Sequence, residues 1–207
     1  MIEHPFIGLA GNIGVGKTTF TEKIAVALNW TPIYESVSNN PYLNDFYTDM
    51  NRWSFNLQIY FLQKRFEAQR DILSSKRGAI QDRTIYEDSE IFAKNLNEMG
   101  QLKDRDYKTY KDLFNIMTSY LKKPDLIIYL KASTDTLLAR IHLRGREYEN
   151  KINPEYIHQL NIKYDNWIKN IKDIKVMIIK TDQFNIFTDT KKFDLILEDV
   201  QKFIKSS

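Results

Sequence analysis

Three glycines that precede a lysine and a threonine form the stretch whose residue types point most directly to chemistry. The stretch is Gly11-Asn12-Ile13-Gly14-Val15-Gly16-Lys17-Thr18, and Thr19 follows it. Glycines let backbone N–H groups converge on phosphate oxygens, a lysine can reach the β- and γ-phosphates, and a threonine hydroxyl can ligate Mg²⁺. We expect residues 11–19 to bind the phosphates of ATP, with Lys17 close to the transferred group; the alternative is a coincidental glycine-rich turn.

Two carboxylates that follow apolar segments suggest a division of labour near these phosphates. Asp82 is placed to hold Mg²⁺ together with Thr18. Glu35 could accept the proton of an attacking hydroxyl group. Each residue has an ordinary alternative, because Asp82 could cap the following helix and Glu35 could be a solvated loop carboxylate.

Three arginines lie close together in the second half of the chain. Arg140 and Arg144 are four residues apart on one face of a predicted helix, and Arg146 follows after a glycine. Guanidinium groups that converge repel one another unless an anion joins them, and a transferring phosphoryl group is such an anion. We therefore predict that residues from about 140 to 153 form a lid over ATP. The alternative is a solvated basic face that the glutamates just after it neutralise.

A mixture of aromatic and polar side chains forms a third group. Its members are Tyr47, Trp53, Phe55, Gln58, Arg65, Asp88 and Phe92. Such a mixture could form a flat slot for a nucleobase, in which Gln58 reads one edge of the base. The alternative is an amphipathic helix with aromatic residues in the core and polar residues in water.

Hydropathy and turn residues predict the elements that must position these groups. Strands are predicted at 5–10, 31–35, 78–81, 124–130 and 175–180. Helices are predicted at 19–28, 42–75 and 85–99, then after Gly100 to about 122, and at 133–145, 154–172 and 188–205. Strands that alternate with long helices predict an α/β fold with a five-stranded parallel sheet covered on both faces. Ligands bind beyond the carboxyl ends of such strands, where the glycine stretch, Glu35 and Asp82 all lie.

Size and composition narrow the classes of protein. The 207 residues, of which 43% are apolar, fit one domain spanning residues 1–207. The chain has no cysteine, which rules out disulfides and thiolate zinc sites. Its net charge of +3 comes from mixed basic and acidic residues, so we expect no nucleic-acid partner and no membrane surface. Without a signal peptide or a long apolar run, the predicted location is the cytoplasm.

Taken together, these motifs resemble the deoxyribonucleoside kinases. The matching residues are Gly11 to Thr18, Glu35-Ser36, Trp53-Ser54-Phe55-x-x-Gln58 with Arg65, Asp82-Arg83-Thr84 with Asp88, and Arg140-x-x-x-Arg144-Gly145-Arg146-x-x-Glu149. The likeness covers nearly the whole chain and is closest to the group that phosphorylates deoxyadenosine, deoxyguanosine and deoxycytidine, and within it to bacterial deoxyadenosine kinases. It implies a P-loop kinase fold with an arginine-rich lid. It also implies Mg²⁺-dependent transfer of the γ-phosphoryl group of ATP to the 5′-hydroxyl of a deoxynucleoside, foremost deoxyadenosine, in nucleotide salvage.

The resemblance further implies roles for single residues. Glu35 would be the base on the 5′-hydroxyl, and Arg83 would position that carboxylate and the phosphoryl group. The substrate-binding residues would be Tyr47 and Glu149 at the 3′-hydroxyl, Gln58 at the base edge, Arg65 and Asp88 as a charged pair at the pocket floor, and Phe92 stacked on the base. The lid arginines would close on the donor phosphates. Members of the family commonly form homodimers through two long helices, which here would span roughly 52–75 and 107–122.

The sequence differs from the usual pattern of this family, and two other functions compete with the deoxynucleoside kinase interpretation. Asp82 stands where many members of the family have glutamate, which shortens the reach to Mg²⁺ by one methylene. A nucleoside monophosphate kinase such as thymidylate kinase also has a phosphate loop and a lid, but its acceptor pocket needs a cation where this chain has Glu35. A GTP-dependent switch is disfavoured, because the motifs N-K-x-D and D-x-x-G are absent.

Overall fold

The computed structural model describes residues 2–35, 40–72 and 77–206. Five strands form one sheet: β1 (Phe6–Ala10), β2 (Thr31–Ile33), β3 (Ala79–Asp82), β4 (Leu126–Lys131) and β5 (Lys175–Lys180). Their order is β2-β3-β1-β4-β5, and every neighbouring pair is parallel. The predicted α/β fold with five parallel strands is therefore confirmed.

The helices of the described ranges connect and cover these strands. They are α1 (Lys17–Leu28), α2 (Leu43–Thr48), α3 (Met50–Ile72), α4 (Ile85–Glu87), α5 (Lys94–Glu98), α6 (Asp104–Thr118), α7 (Thr134–Arg144), α8 (Pro154–Asn170) and α9 (Thr190–Ser206). A π-helical segment (Asp88–Ala93) joins α4 to α5, and a 3₁₀ helix (Glu147–Lys151) follows α7.

The centre of the sheet is buried on both sides. Every residue of β1 and of β3 is buried, and so are the first five residues of β4. Because successive side chains of a strand point to opposite faces, this pattern requires cover on both faces of the sheet. The expected helical layers on the two sides are thus present, and they hold the central strand ends in fixed positions.

The single helix expected at 42–75 is two helices, α2 and α3. Between them Asp49 has an extended backbone (φ −144°, ψ 88°), and its carboxylate accepts a hydrogen bond of 3.0 Å from the Arg52 N–H. Asp49 therefore caps the amino end of α3, a pattern that aspartate favours and that apolar spacing alone does not reveal. Residues 73–75 of the expected helix lie outside the described residues, as do Ser36, Ser38 and Asn39.

Two further boundaries differ from expectation at places that carry predicted site residues. The helix expected at 85–99 contains the π-helical segment, which includes Asp88 and Phe92. Segments of this kind occur preferentially at functional sites. Strand β2 ends at Ile33, so Glu35 lies in the loop beyond the strand rather than at its last position.

Within residues 2–35, 40–72 and 77–206, no helix has both the length and the apolar content needed to cross a membrane.

Candidate functional site

A cavity of about 380 Å³ lies beyond the carboxyl ends of β1, β2 and β3. It brings together most of the predicted site residues: Ile13, Gly14, Gly16, Lys17, Thr18, Thr19, Glu35, Tyr47, Gln58, Asp82, Arg83, Asp88, Phe92, Arg140, Arg144, Arg146 and Glu149. Gly11, Asn12, Val15, Trp53 and Arg65 are not among its lining residues. The rule that parallel sheets bind ligands at this edge therefore located the cavity correctly.

The glycine loop turns sharply between β1 and α1, and all three of its glycines have positive φ. Gly14 has φ +83°, and a Cβ atom there would lie 2.9 Å from the Leu137 carbonyl oxygen. Gly16, at φ +99°, stands immediately before α1. Only glycine adopts these conformations without strain. The first turn of α1 thus faces the cavity with unpaired N–H groups and a partial positive charge, which favours an anion.

Residues of the loop that do not line the cavity hold it in shape. The Asn12 side chain donates to the Ile157 carbonyl of α8 at 2.9 Å and accepts from the Ile13 N–H at 2.8 Å. The Val15 carbonyl accepts from Arg140 at 3.3 Å. These contacts join the loop to α7 and α8, the helices on either side of the predicted lid.

Lys17 is folded back onto the loop. Its Nζ donates to the carbonyl oxygens of Gly11 and Asn12, at 2.9 Å and 3.1 Å. Burial lowers the pKa of Lys17 to about 8, and the charge of Arg83 adds to this effect, whereas nearby carboxylates oppose it. To reach a phosphate, Lys17 must exchange these two carbonyls for phosphate oxygens.

Thr18 and Asp82 contact each other directly. The Thr18 hydroxyl donates to Asp82 Oδ2 at 2.6 Å, while Asp82 Oδ1 is buried with no hydrogen-bond partner. An unpaired carboxylate oxygen beside a hydroxyl fits a hard cation that takes its other ligands from water and phosphate. No group of three His, Cys, Asp or Glu side chains suitable for a metal occurs in the described part of the chain. The helix that Asp82 was considered to cap has Thr84, not Asp82, at its N-cap position.

Glu35 is held by two arginines through one oxygen. Its Oε1 lies 2.7 Å from Nη2 of Arg65 and 3.0 Å from Nε of Arg83. Burial disfavours the charged carboxylate, but Arg83, Arg65 and Lys17 outweigh that effect and hold the pKa of Glu35 at about 2. Glu35 is therefore an ionised, fixed side chain rather than a solvated loop carboxylate.

Arg65 lies behind the cavity wall and links two of its residues. Besides Glu35, it forms an ion pair with Asp88, and its Nη1 donates to the Arg83 carbonyl at 2.9 Å. The charged pair expected from the sequence is thus present, with an unexpected third member. Burial raises the pKa of Asp88 to about 7, although Arg65 and Arg83 oppose this effect.

The predicted base slot is formed by α3 and the π-helical segment. Gln58 is buried, and its Oε1 has no hydrogen-bond partner. The Phe92 ring lies 4.5 Å from the guanidinium carbon of Arg83. The slot therefore has an open hydrogen-bond acceptor on one side and an aromatic face on the other.

Trp53 is not part of this slot, contrary to expectation. Its ring packs 5.9 Å from the ring of Tyr42 and 4.6 Å from the Arg52 guanidinium carbon. Gln58 follows Trp53 by five residues, which places the two side chains about 140° apart around a helix. The residues of α3 that line the cavity are Leu57, Gln58 and Phe61; Trp53 lies one turn before Leu57 and packs on Tyr42 instead.

The three lid arginines line one cavity but do not converge on one point. Arg144 donates to both oxygens of Glu149, at 2.5 Å and 3.0 Å, and Arg146 lies 3.6 Å from the same carboxylate. Arg140 instead donates to the carbonyl and hydroxyl of Thr181, at 2.5 Å and 3.1 Å. Glu149 thus pairs with two of the three arginines, and their convergence on the donor phosphates stays a prediction.

Several site residues were not predicted. Tyr148 stacks on Tyr47, with ring centroids 6.1 Å apart and an interplanar angle of 6°, and both residues line the cavity. Glu87 is buried and contacts Arg83 and Tyr164. The pattern Thr84-x-x-Glu87 is a capping box in the sequence, and this signal could have singled out Glu87.

Comparison with known proteins gives consistent matches along most of the chain. A family model described as deoxynucleoside kinase matches residues 7–205. The chain is 39% identical over 204 residues to the deoxyadenosine/deoxycytidine kinase of Bacillus subtilis (strain 168), covering 98% of this chain and 94% of that protein. It is 44% identical over 184 residues to the deoxyadenosine kinase of Dictyostelium discoideum, covering 88% and 75%. A structure of deoxyadenosine kinase from M. mycoides with bound dCTP superposes with a TM-score of 0.82 at 30% identity, covering 95% of this chain and 99% of that one.

Proposed function

The chain belongs to the deoxynucleoside kinase family and phosphorylates deoxynucleosides, and from this premise we propose that it transfers the γ-phosphoryl group of ATP to the 5′-hydroxyl of deoxyadenosine in nucleotide salvage. The observation that carries this proposal is the position of Glu35. This ionised carboxylate lines the same cavity as the glycine loop and is held by Arg65 and Arg83. A fixed carboxylate near the phosphates is what an attacking hydroxyl group requires.

Glu35 is the proposed base. Both arginines contact Oε1, and Oε2 takes part in neither contact. The 5′-hydroxyl donates to Oε2 and attacks the γ-phosphorus. As the new P–O bond forms, the bond from the γ-phosphorus to the bridging oxygen breaks, ADP leaves with that bonding pair, and the hydroxyl proton passes to Glu35. A carboxylate whose pKa is about 2 is a weak base, so proton transfer follows most of the bond change, as a loose transition state allows. Arg83 keeps the carboxylate directed at the hydroxyl.

The donor triphosphate lies over the glycine loop in this proposal. Within residues 11–19, the Gly11 and Ile13 N–H groups already donate to Glu87 and Asn12, so the N–H groups around Gly14 and Gly16 and at the start of α1 bind the phosphates. Lys17 turns from the loop carbonyls to the γ-phosphate. Thr18 and Asp82 would hold Mg²⁺, which neutralises phosphate charge when bound. Arg140 is already fixed against the loop at Val15, and Arg144 and Arg146 reach the phosphates when the lid at about 140–153 closes.

The acceptor lies between α3 and the π-helical segment. Gln58 Oε1 is an unpaired acceptor, and Asp88 offers a carboxylate on the same cavity wall. Acceptors of this kind suit the exocyclic amino group of adenine or cytosine rather than the carbonyl group of thymine. Phe92 stacks on the base, while Tyr47 and Glu149 hold the 3′-hydroxyl.

The proposed assembly is a homodimer through α3 and α6. Leu113 and Ile116 of α6 and Tyr120 just after it lie at helical spacing, and all three are exposed large apolar side chains. Exposed apolar side chains on one helical face are typical of an interface. Ile116→Glu should convert the dimer to a monomer in light-scattering measurements; a wild-type monomer would contradict the assignment. The cytoplasmic location stays a prediction.

The decisive experiment is to measure initial rates with deoxyadenosine, deoxyguanosine, deoxycytidine, thymidine and dTMP, each with ATP and Mg²⁺. The expected result is a dominant rate with deoxyadenosine. A dominant rate with thymidine would contradict the reading of Gln58 and Asp88. Activity with dTMP alone would favour a nucleoside monophosphate kinase and remove Glu35 from its proposed role.

A further inference from the structure

Glu87 is a buried carboxylate that the mechanism above does not use. Its Oε2 accepts from the Thr84 N–H at 2.9 Å, and its Oε1 accepts from the Gly11 N–H at 3.3 Å and from the Tyr164 hydroxyl at 2.8 Å. Arg83 Nη1 also lies 3.6 Å from Oε1. Thus every group that faces Glu87 in these contacts is a donor or a cation.

A capping role explains only half of these contacts. Oε2 satisfies the N–H at the start of α4, as a capping-box glutamate does. Oε1 instead leaves the helix and connects two other parts of the site, the beginning of the glycine loop at Gly11 and the hydroxyl of Tyr164 on α8. A cap alone does not require this connection.

Tyr164 links Arg83 to Glu87 through two hydrogen bonds whose donors and acceptors can be assigned. Arg83 Nη1 donates to the Tyr164 hydroxyl at 2.5 Å. Because a guanidinium group only donates, the hydroxyl accepts from Arg83 and directs its own hydrogen to Glu87. The ring of Tyr164 is stacked on Tyr129, with centroids 5.8 Å apart, so the hydroxyl is held in place.

Arg83 is thereby fixed along its whole length. Its backbone has φ +67°, an uncommon conformation for a residue other than glycine, and its N–H donates to the Leu9 carbonyl at 3.0 Å. Its Nε contacts Glu35, and its Nη1 ends at Tyr164 and Glu87. Without the contacts of Nη1, the guanidinium group could rotate and move Nε away from Glu35.

We propose that Glu87 is a positioning residue for phosphoryl transfer, which acts on Glu35 through Tyr164 and Arg83 and on the phosphate-binding loop through Gly11. This inference rests on the proposed function, since its effect is read as turnover. It assigns one buried carboxylate to both halves of the site: the loop that binds the donor and the base that activates the acceptor. Glu87 and Tyr164 touch neither reacting atom.

The test uses three variants and their control. Tyr164→Phe removes the hydroxyl and keeps the ring. In Glu87→Gln an amide NH₂ replaces one of the two carboxylate oxygens, and it cannot accept the hydrogen bond that this oxygen accepts. The third variant combines both changes. Tyr129→Phe is the matched control, because it removes a hydroxyl that donates to Asp165 at 3.1 Å beside the same ring without contact to Arg83 or Glu87.

Wild-type phosphorylation of the deoxynucleosides is measured first, so its failure would count against the proposed function alone. We expect Tyr164→Phe to lower kcat by about 10- to 100-fold with both KM values within about threefold of wild type, since misplacement of a reacting group has effects of this size. Tyr129→Phe should stay within about twofold of wild type. The double variant should lose no more than the worse single variant, because both changes break one chain of contacts.

Equal kcat values for Tyr164→Phe and Tyr129→Phe, in an active wild-type background, would overturn the inference. Additive losses in the double variant would overturn it as well, since independent packing defects add. If Glu87→Gln does not fold, the comparison of Tyr164→Phe with Tyr129→Phe still decides. A Tm measured for each variant separates loss of folded protein from loss of turnover.

Discussion

The Glu35 carboxylate accepts a hydrogen bond of 2.7 Å from the guanidinium group of Arg65, which is also the ion-pair partner of Asp88. The proposed base and the floor of the proposed base pocket therefore share one cation. A change at Arg65 disturbs both, whereas a change at Asp88 leaves the contact with Glu35 in place. Variants at Asp88 are consequently the cleaner probe of nucleobase choice.

Glu35→Gln is expected to lower kcat by about two to four orders of magnitude, because an amide cannot take the proton of the 5′-hydroxyl. The glutamine side chain has nearly the same size as that of glutamate, so deoxyadenosine should still bind. The measurements are steady-state rates, calorimetric titration with deoxyadenosine and thermal unfolding. Glu22→Gln, on the exposed side of α1, is the control for a neutralised glutamate. Near-normal turnover by the Glu35 variant would remove this residue from the mechanism.

Nucleobase choice should change with pH through Asp88. Its pKa of about 7 lies above the ordinary value of 3.8, so the folded enzyme ionises this carboxyl only as the pH rises through 7. An ionised carboxylate accepts from the amino group of adenine, whereas a protonated one can donate to the carbonyl group of guanine. The ratio of kcat/KM for deoxyadenosine to that for deoxyguanosine should therefore rise from pH 6 to pH 8.

Asp88→Asn is the matched test of that assignment. An asparagine does not titrate, so the ratio should lose its dependence on pH, and the loss of the charged pair should raise the rate with thymidine relative to deoxyadenosine. A ratio that still changes with pH in this variant would assign the titration to another group. Unchanged relative rates among the nucleosides would show that Arg65 and Asp88 form a structural pair only.

The dependence on Mg²⁺ should weaken when either proposed ligand is removed. Thr18→Val and Asp82→Asn are each expected to raise the Mg²⁺ concentration needed for half-maximal rate by about 10-fold or more at fixed ATP. Thr21→Val is the control, since Thr21 lies on the same helix, is buried, and has a hydroxyl without a hydrogen-bond partner. Titration of the initial rate with Mg²⁺ checks this. Identical curves for all three variants would reject the assignment of Thr18 and Asp82.

The role of Glu149 can be separated from its ion pairs by a change of substrate. Glu149→Gln disturbs Arg144 and Arg146 equally for any nucleoside. If Glu149 holds the 3′-hydroxyl, the variant should lower kcat/KM for deoxyadenosine by about 10-fold more than for 2′,3′-dideoxyadenosine, which has no such hydroxyl. The same factor for both substrates would limit Glu149 to its contacts with the lid arginines. Glu147→Gln serves as the neighbouring control.

The fold was predictable where burial forces a simple pattern. The fully buried β1 and most of β4 are uninterrupted apolar runs, and β3 is a short buried segment that ends at Gln81 and Asp82, so the number and direction of these strands followed from the sequence. The break at Asp49 was missed because helical spacing of apolar residues continues across it. The π-helical turn at 88–93 has no comparable local signal, since it differs from an α-helix by one residue in one turn.

The sequence indicates which residues belong to the candidate site better than it indicates which of them contact one another. The resemblance to the family's motifs points to Glu35, Arg83 and Asp88, but it carries no information on which arginine reaches which carboxylate oxygen. Arg65 and Glu35 are thirty positions apart in the chain and meet beside the end of β3, where Arg65 also donates to the Asp82 carbonyl. The position of Trp53 was not predictable for a related reason, because motif spacing does not tell which aromatic side chain packs on Tyr42 and which reaches the cavity.

The strand order β2-β3-β1-β4-β5 has a practical consequence for protein engineering. The proposed nucleoside contacts, apart from Glu149, all lie between residues 31 and 92, at the β2-β3 flank of the sheet. The glycine loop, Arg140 and Thr181 follow β1, β4 and β5. A mutant library at Tyr47, Gln58, Asp88 and Phe92 would therefore search for new acceptors while the glycine loop stays intact. Glu35, Arg65, Asp82, Arg83 and Glu87 lie in the same window and would be left unvaried, because they form the proposed base, its ion pairs, the proposed Mg²⁺ ligand and the contact with Gly11.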